Sequence, residues 1–316
     1  MVSRDRLILV LRYGIGIGVV VATAVYVFLN WQEFAVIFSI HIWRVVILVG
    51  LAFIHSFISA AQFASLYRAL GVPMGIVESF FLSTLGGFFA LVVPQATYLT
   101  KAVYLKQRYA LPYSKTPAIL LGSLAVFIIM GMAVIGLSLT ILATTENIDS
   151  RLAWLAIPFS LGIVLLWRLH IPDHLLIRMG RAGNMLRLFL EGWSTLRQDR
   201  RCLVRISFYQ FLMFVVSGMS FSVAFKSIGK DVSPLVGTVL AASTSFTNLI
   251  SLTPANLGVQ EAVVGYLAGL TGHAFVEGAV ASMILRIIGL ITILLVTPIA
   301  YYCLFWQRGI HMGKHY

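Results

Sequence analysis

Residues Asn248–Glu261 read NLISLTPANLGVQE. Long apolar runs flank this stretch, yet it holds a proline, a glycine, two asparagines, a glutamine and a glutamate. An ionised side chain near mid-bilayer costs roughly 2.5–3.5 kcal/mol on insertion scales, so an ordinary spanning helix has no use for such a sequence. A helix broken at Pro254, whose second part starts inside the membrane and lines a polar site, needs these residue types. Proline suits a first turn, where its missing N–H would be unpaired anyway. Irregular backbone at membrane depth is tolerated only where protein or a polar cavity surrounds it.

The rest of the chain supplies the membrane context. Its 316 residues are 59% hydrophobic and 11% charged, with mean hydropathy +0.94, whereas soluble domains carry about 25% charged residues. The apolar runs are continuous rather than alternating with period two, which excludes a barrel and leaves helices. The net charge of +12 marks cytoplasmic loops and affinity for anionic headgroups; nucleic acid is not an expected partner. Cys202 and Cys303 form no framework and no CxxC pair, so neither a disulfide nor a zinc site is indicated. Arg4 and Arg6 precede an apolar run as in a signal peptide. Leu7–Leu29 is too long for that and lacks an A-x-A site, so it reads as a retained first span. One integral membrane domain over 1–316 is expected, with no soluble domain at either end and a location in the cell (inner) membrane.

Clear spans are Leu7–Leu29, Trp43–Arg68, Thr116–Leu142, Leu152–Arg168, Ile206–Phe225 and Glu277–Phe305, each near the ~20 residues a bilayer requires. Two further runs, Ile76–Val93 and Leu235–Thr253, end at Pro94 and Pro254, and a semi-polar helical piece follows each. If both runs simply crossed, the basic segments Lys106–Lys115 and Arg168–Arg205 would lie outside, against the positive-inside rule. If Gly75–Ala110 and Pro234–Leu270 instead dip in and return, most of the 23 Lys and Arg face the cytoplasm. Arg44, Arg151, Lys226 and Lys230 then face out, and Lys101 and Arg286 stay in the membrane. The expected fold is an all-α polytopic membrane protein with six full spans, two oppositely oriented re-entrant helical hairpins and both termini cytoplasmic.

A shift of 160 residues lays Pro94 on Pro254, Ser83-Thr84 on Ser243-Thr244 and Lys101 on Glu261. It also lays the second span on the fifth and the third on the sixth. The pattern reads as inverted repeats over about 43–142 and 203–305, an arrangement that transporters build around a midplane site. Between the repeats, at about 174–200, Leu175, Met179, Ala182, Leu186, Phe189, Trp193 and Leu196 recur every three or four residues among arginines. This predicts a basic amphipathic helix flat on the cytoplasmic leaflet, the alternative being docking onto the protein's own loops.

Helical rise puts Lys101, Glu261 and Arg286 near the centre of a ~30 Å core. The starts of the two half-helices aim free N–H groups into the interior, and Gln95, Thr97, Asn256 and Gln260 add hydrogen-bonding groups. Together with Pro94, Pro254 and Gly258 these residues form the expected binding site, and a lipid phosphate is the anion a membrane supplies. Glu261 either holds Arg286 in the site or acts as a proton-linked switch, and pairing lowers the cost of burying both, which favours the first; the alternative is that the pair only locks a hairpin to its neighbour. Lys101 has the alternative of snorkelling to the headgroups. Gly14, Gly16 and Gly18, and Gly265 with Gly269, read as close helix packing. His55 and Gln62 read as interhelical hydrogen-bond partners. His170 and His174, and His311 and His315, lack a third metal ligand. No pattern implies a cofactor or a catalytic arrangement.

Thr253–Glu261, TPANLGVQE, resembles the TPGGLGxxE-type motif of the membrane region of lysylphosphatidylglycerol synthases, which stand-alone flippase-like proteins share. Met283–Gly289, MILRIIG, is similar to that family's ALLxR segment, with Arg286 on its arginine. In the first half Pro94 and Lys101 match the LPGRLGELVRAYLLRR pattern, Lys101 replacing an arginine. The family's glycine pair after the second proline is Ala255-Asn256 here. Its first-half glycine–glutamate is Thr97-Tyr98, and its glutamate–arginine pair is Gly122-Ser123. The resemblance implies lipid translocation rather than lipid aminoacylation, the substrate being an anionic, aminoacylated or polyprenyl-type lipid. The alternative is a non-transporting subunit that positions a lipid-modifying enzyme such as a glycosyltransferase.

Overall fold

The computed structural model describes residues 40–91, 96–111, 115–145, 157–158, 160–163, 180–250 and 256–306, together with residues 25 and 28. All regular structure among them is helical. In chain order the helices are α1 (Ile42–Ala69), α2 (Ile76–Ala90), α3 (Ala96–Tyr109), α4 (Lys115–Thr145), α5 (Gly180–Gln198), α6 (Arg200–Ser227), α7 (Pro234–Ile250), α8 (Val259–Leu270) and α9 (Phe275–Tyr301). A π-helical turn, Tyr302–Trp306, continues α9. The predicted spans Leu7–Leu29 and Leu152–Arg168 lie almost wholly outside the described residues, as do Pro94, Gln95 and Pro254.

Four helices among the described residues are long and apolar enough to cross a membrane: Ile42–Ala69, Leu120–Thr144, Arg200–Ser227 and Phe275–Leu304. They coincide with four of the six spans read from the sequence. Their outward faces are apolar, with Trp43, Ile54, Leu294, Leu295 and Ile299 about half exposed or more. In water so large an apolar surface would drive association; lipid accepts it.

The order α1–α4 recurs in α6–α9. Each helix of the first set begins about 160 residues before its counterpart: Ile42 and Arg200, Ile76 and Pro234, Ala96 and Val259, Lys115 and Phe275. The counterparts α1 and α6 pack along each other and run antiparallel. Gln62 bonds Gln210 and Leu66 is buried with Ile206, while Leu48 shares a second cluster with Phe225.

The helices α2 and α3 form an antiparallel pair whose two ends come back together. Thr97 Oγ1 donates to Gly86 O at 3.1 Å near the turn. At the open end the hydroxyls of Tyr104 and Tyr109 both donate to Glu78, and Leu111 is buried with Val72 and Met74. The pair α7 and α8 closes likewise. Asn256 Nδ2 donates to Thr247 O at 3.1 Å near the turn, and at the far end Lys230, ahead of α7, pairs with Glu277 of α9 at 2.7 Å. Because α1 and α6 are antiparallel, the open ends of the two pairs lie at opposite ends of the α1–α6 unit.

Tight packing sets the helix spacing. A Cβ on Gly237 would strike Gly218 O, and one on Gly218 would strike Thr238, so α6 and α7 touch through backbone. A Cβ on Gly265 would lie 2.7 Å from Phe275 O, and one on Gly278 2.6 Å from Ala268 Cβ. Gly269, read from sequence as a packing glycine beside Gly265, instead borders open space.

The helix α5 packs along α4. A Cβ on Gly122 would lie 2.5 Å from Gly192 C, and Trp193 and Leu196 are buried with Ala125, Val126 and Leu66. Its apolar stripe thus packs on the spanning helix α4, rather than on the expected leaflet surface or, alternatively, the protein's own loops. Asp199 then ends α5 and caps α6, accepting from Cys202 N–H at 3.0 Å, a typical N-cap role for aspartate. Gly122→Val should therefore lower stability by about 1–3 kcal/mol, the usual cost of overpacking. Gly269→Ala should leave stability unchanged or raise it slightly, since alanine is the better helix former. Thermal unfolding of the purified protein in detergent reads both.

Candidate functional site: a charged clasp and a polar cleft

The broken segment singled out by the sequence forms a clasp around Arg286. Asn256 and Gly258 have φ of +53° and +84°, left-handed values that glycine takes freely and asparagine tolerates. Asn256 therefore takes this turn position at little conformational cost, and its side chain ties the turn to α7. The turn brings Glu261, at the third position of α8, back toward the helix start. Its Oε2 accepts from Gly258 N–H at 2.8 Å and its Oε1 from Arg286 Nε at 2.7 Å. Arg286 Nη2 also donates to Asn256 O at 3.2 Å and to Gln260 Oε1 at 3.4 Å.

Glu261 is only 5% exposed, so neither charge could stay there alone at tolerable cost. The carboxylate also faces the positive end of α8, where a negative charge is stabilised. The anion site expected at this half-helix start is thus occupied by the protein's own carboxylate, and Arg286 is committed to the turn.

Lys101 stands apart from the clasp. It is 2% exposed, and its ammonium lies 3.2 Å from the centroid of the Phe63 ring, a cation–π contact. No hydrogen bond or ion pair among the described residues joins it to Glu261 or Arg286, and it does not reach a surface as a snorkelling lysine would. Thr97, at the start of α3, is spent on Gly86.

A second feature was not assembled from the sequence. A cleft of about 280 Å³ opens between α1, α3, α4, α6 and α7. Its polar lining comprises His55, Ser59 and Gln62 of α1, Ser123 of α4, Gln210 and Ser217 of α6, and Ser245 of α7; Phe63, Tyr98, Phe127 and Phe214 add aromatic surface. It exists because the two halves differ: α8 packs along α9, whereas α3 and α4 hardly touch, and the cleft lies between them with Tyr98 on one side and Leu120 and Ser123 on the other.

Gln62 is the interhelical partner it was read to be, donating to Gln210 Oε1 at 3.0 Å and to Ile206 O at 3.3 Å. His55, read the same way, makes no hydrogen bond among the described residues and faces the cleft. The signal was in the sequence, since His55, Ser59 and Gln62 recur at i, i+4 and i+7 on one face of an apolar span. No group of three His, Cys, Asp or Glu that could hold a metal occurs among the described residues.

The clasp makes a stability prediction. Arg286→Ala leaves Glu261 buried and unpaired and should cost about 3–5 kcal/mol. Arg286→Lys should recover only part of that, because an ammonium cannot span Glu261, Asn256 and Gln260 as the guanidinium fork does. The double variant Glu261→Gln with Arg286→Met should be more stable than Arg286→Ala alone. Unfolding midpoints in detergent decide each.

Comparison with curated proteins gives no match, and comparison with solved structures gives none. The sequence does match the family described as the lysylphosphatidylglycerol synthase TM region over residues 14–297. That match spans most of the chain and includes the clasp, the cleft and all the helices described except the last turns of α9. On that basis the chain belongs to the lysylphosphatidylglycerol synthase transmembrane-region family, a family of membrane proteins related to lipid handling.

Proposed function

We propose that the protein is a flippase-like translocator that passes a lipid headgroup across the membrane interior while the acyl chains stay in lipid. The observation that carries this reading is the polar cleft, bounded by the apolar spanning helices α1, α4 and α6 together with the short α3 and α7. Polar groups inside a membrane protein are costly, face the interior and mark pathways. A structural hydrogen bond accounts for Gln62 and part of Gln210, but among the described residues none accounts for His55, Ser59 and Ser217 on the same surface.

The proposed topology has six spans, two re-entrant hairpins and cytoplasmic termini. At 1.5 Å per residue α2, α3 and α8 are about 18–22 Å long, and α7 is about 25 Å; all fall short of a ~30 Å core. Shared open ends for each pair, held by Glu78 with Tyr109 and by Lys230 with Glu277, favour dipping and returning over crossing. The antiparallel α1 and α6 favour inverted repeats. In this reading the Glu261–Arg286 clasp, about 16 Å along α9 from its start, secures the second hairpin at mid-depth, and headgroup contacts fall to the cleft. The proposed role is transport, without a chemical step.

Reconstituted into liposomes, the protein should expose inner-leaflet fluorescent lipid to an external quencher well above the rate of empty vesicles. Ser217→Leu, which fills the cleft with side chain, should slow that exposure while gel filtration and melting stay as in the parent. If the folded parent leaves lipid moving only at the empty-vesicle rate, translocation is wrong, and a scaffold that positions a lipid-modifying enzyme becomes the better reading. Topology has its own check: cysteines placed at Gly229 and Gly272 should react with an impermeant thiol reagent from the same side, and one at Gly71 from the other.

A further inference from the structure

The hydrogen-bonding groups left over in the cleft specify what fits there. Gln62 spends its amide protons on Gln210 Oε1 and Ile206 O. That leaves Gln62 Oε1 as an acceptor and the amide protons of Gln210 as donors, with no further partner for either among the described residues. The hydroxyls of Ser59 and Ser217 and the ring of His55 are likewise unused there. The surface therefore offers donors and acceptors side by side, none of them from Asp, Glu, Lys or Arg among the described lining residues.

We infer that the headgroup this cleft takes is neutral and rich in hydroxyls, a glycosyl or other polyol lipid, rather than one bound through its phosphate or through an aminoacyl cation. The inference rests on the translocation reading of the same cleft. A hydroxyl donates and accepts at once, so a polyol matches the amide oxygen of Gln62, the amide protons of Gln210 and the serines together. A phosphate only accepts and would leave Gln62 Oε1 facing it without a proton. An ammonium only donates and would leave the Gln210 protons unmatched. Buried polar groups without partners are the usual source of strong discrimination between headgroups.

Charge argues the same way. An ion held away from water needs a compensating charge, and the nearby Lys101 is not part of the lining; it rests on the ring of Phe63. Tyr98, Phe127 and Phe214, which also line the cleft, give the C–H groups of a sugar ring an apolar surface. The volume of about 280 Å³ falls just below the usual range of ligand pockets, roughly 300–1,000 Å³, which suits one sugar ring rather than a long glycan.

The test compares three lipids with the same fluorescent acyl chain in phosphatidylcholine liposomes carrying the full-length protein: a glucosyl diacylglycerol, phosphatidylglycerol and lysylphosphatidylglycerol. The glucosyl lipid is expected to equilibrate between leaflets about tenfold faster than either of the others. Ser59→Ala and Ser217→Ala should each reduce that preference, and Gln62→Leu with Gln210→Leu should remove it. The serine variants keep the test usable if the double glutamine variant fails to fold.

Faster movement of phosphatidylglycerol or of lysylphosphatidylglycerol overturns the headgroup assignment while leaving translocation intact. If no lipid moves, translocation fails, and retention of the same three lipids by the detergent-purified protein in native mass spectrometry decides the headgroup. Retention of the glucosyl lipid, lost in the serine variants, sustains the assignment. Equal or stronger retention of either charged lipid, or of none, overturns it.

Discussion

The arrangement depends on one buried ion pair. Arg286 lies within a spanning helix and Glu261 at the start of a half-helix, and neither charge can be left alone where it sits. Their union fixes α8 against α9 in a single register. Once that register is set, Gly265 and Gly278 must let the two backbones approach, and the far end of the hairpin meets the start of α9 through Lys230 and Glu277. The second oxygen of Glu261 is spent on Gly258 N–H, so the same carboxylate caps the helix and neutralises the arginine.

The first hairpin is held by other means. Where the second has a charged clasp, the first has Thr97 on Gly86 at its turn, Glu78 under two tyrosine hydroxyls at its open end, and Lys101 laid on Phe63. Its α3 does not lie along α4 as α8 lies along α9, and α4 is instead occupied along much of its length by α5 through the Gly122–Gly192 contact. The polar cleft sits in the space this asymmetry opens. A repeat that were a true copy would have packed α3 onto α4 and left no room for a ligand.

Much of the helical layout could be read from the chain. Runs of apolar residues gave the four described spans, prolines marked the two short pairs, and the 160-residue shift paired α1 with α6, which pack antiparallel. Legibility failed where the outcome depended on which residue reaches which. Helical rise put Lys101 level with Glu261 and Arg286, and the repeat, which lays Lys101 on Glu261, was the ground for expecting them side by side. The two halves differ in packing, and Lys101 lies on Phe63 instead. The cleft escaped notice for a similar reason. His55, Ser59 and Gln62 are visible as one face of a helix, but whether that face meets a partner or an opening depends on α3, α4 and α6.

The sequence by itself determined that this is a helical membrane protein, and where its helices break, because lipid imposes those rules on each segment separately: helix length, continuity of apolar residues, and the cost of a proline or a charge. Tertiary structure alone decided what the polar residues do. Glu261 became a cap and counter-ion, Gln62 a bridge to α6, and His55, Ser59 and Ser217 the wall of a cleft with no hydrogen-bond partner among the described residues. Those roles follow from distances between helices far apart in the chain, which no local pattern encodes.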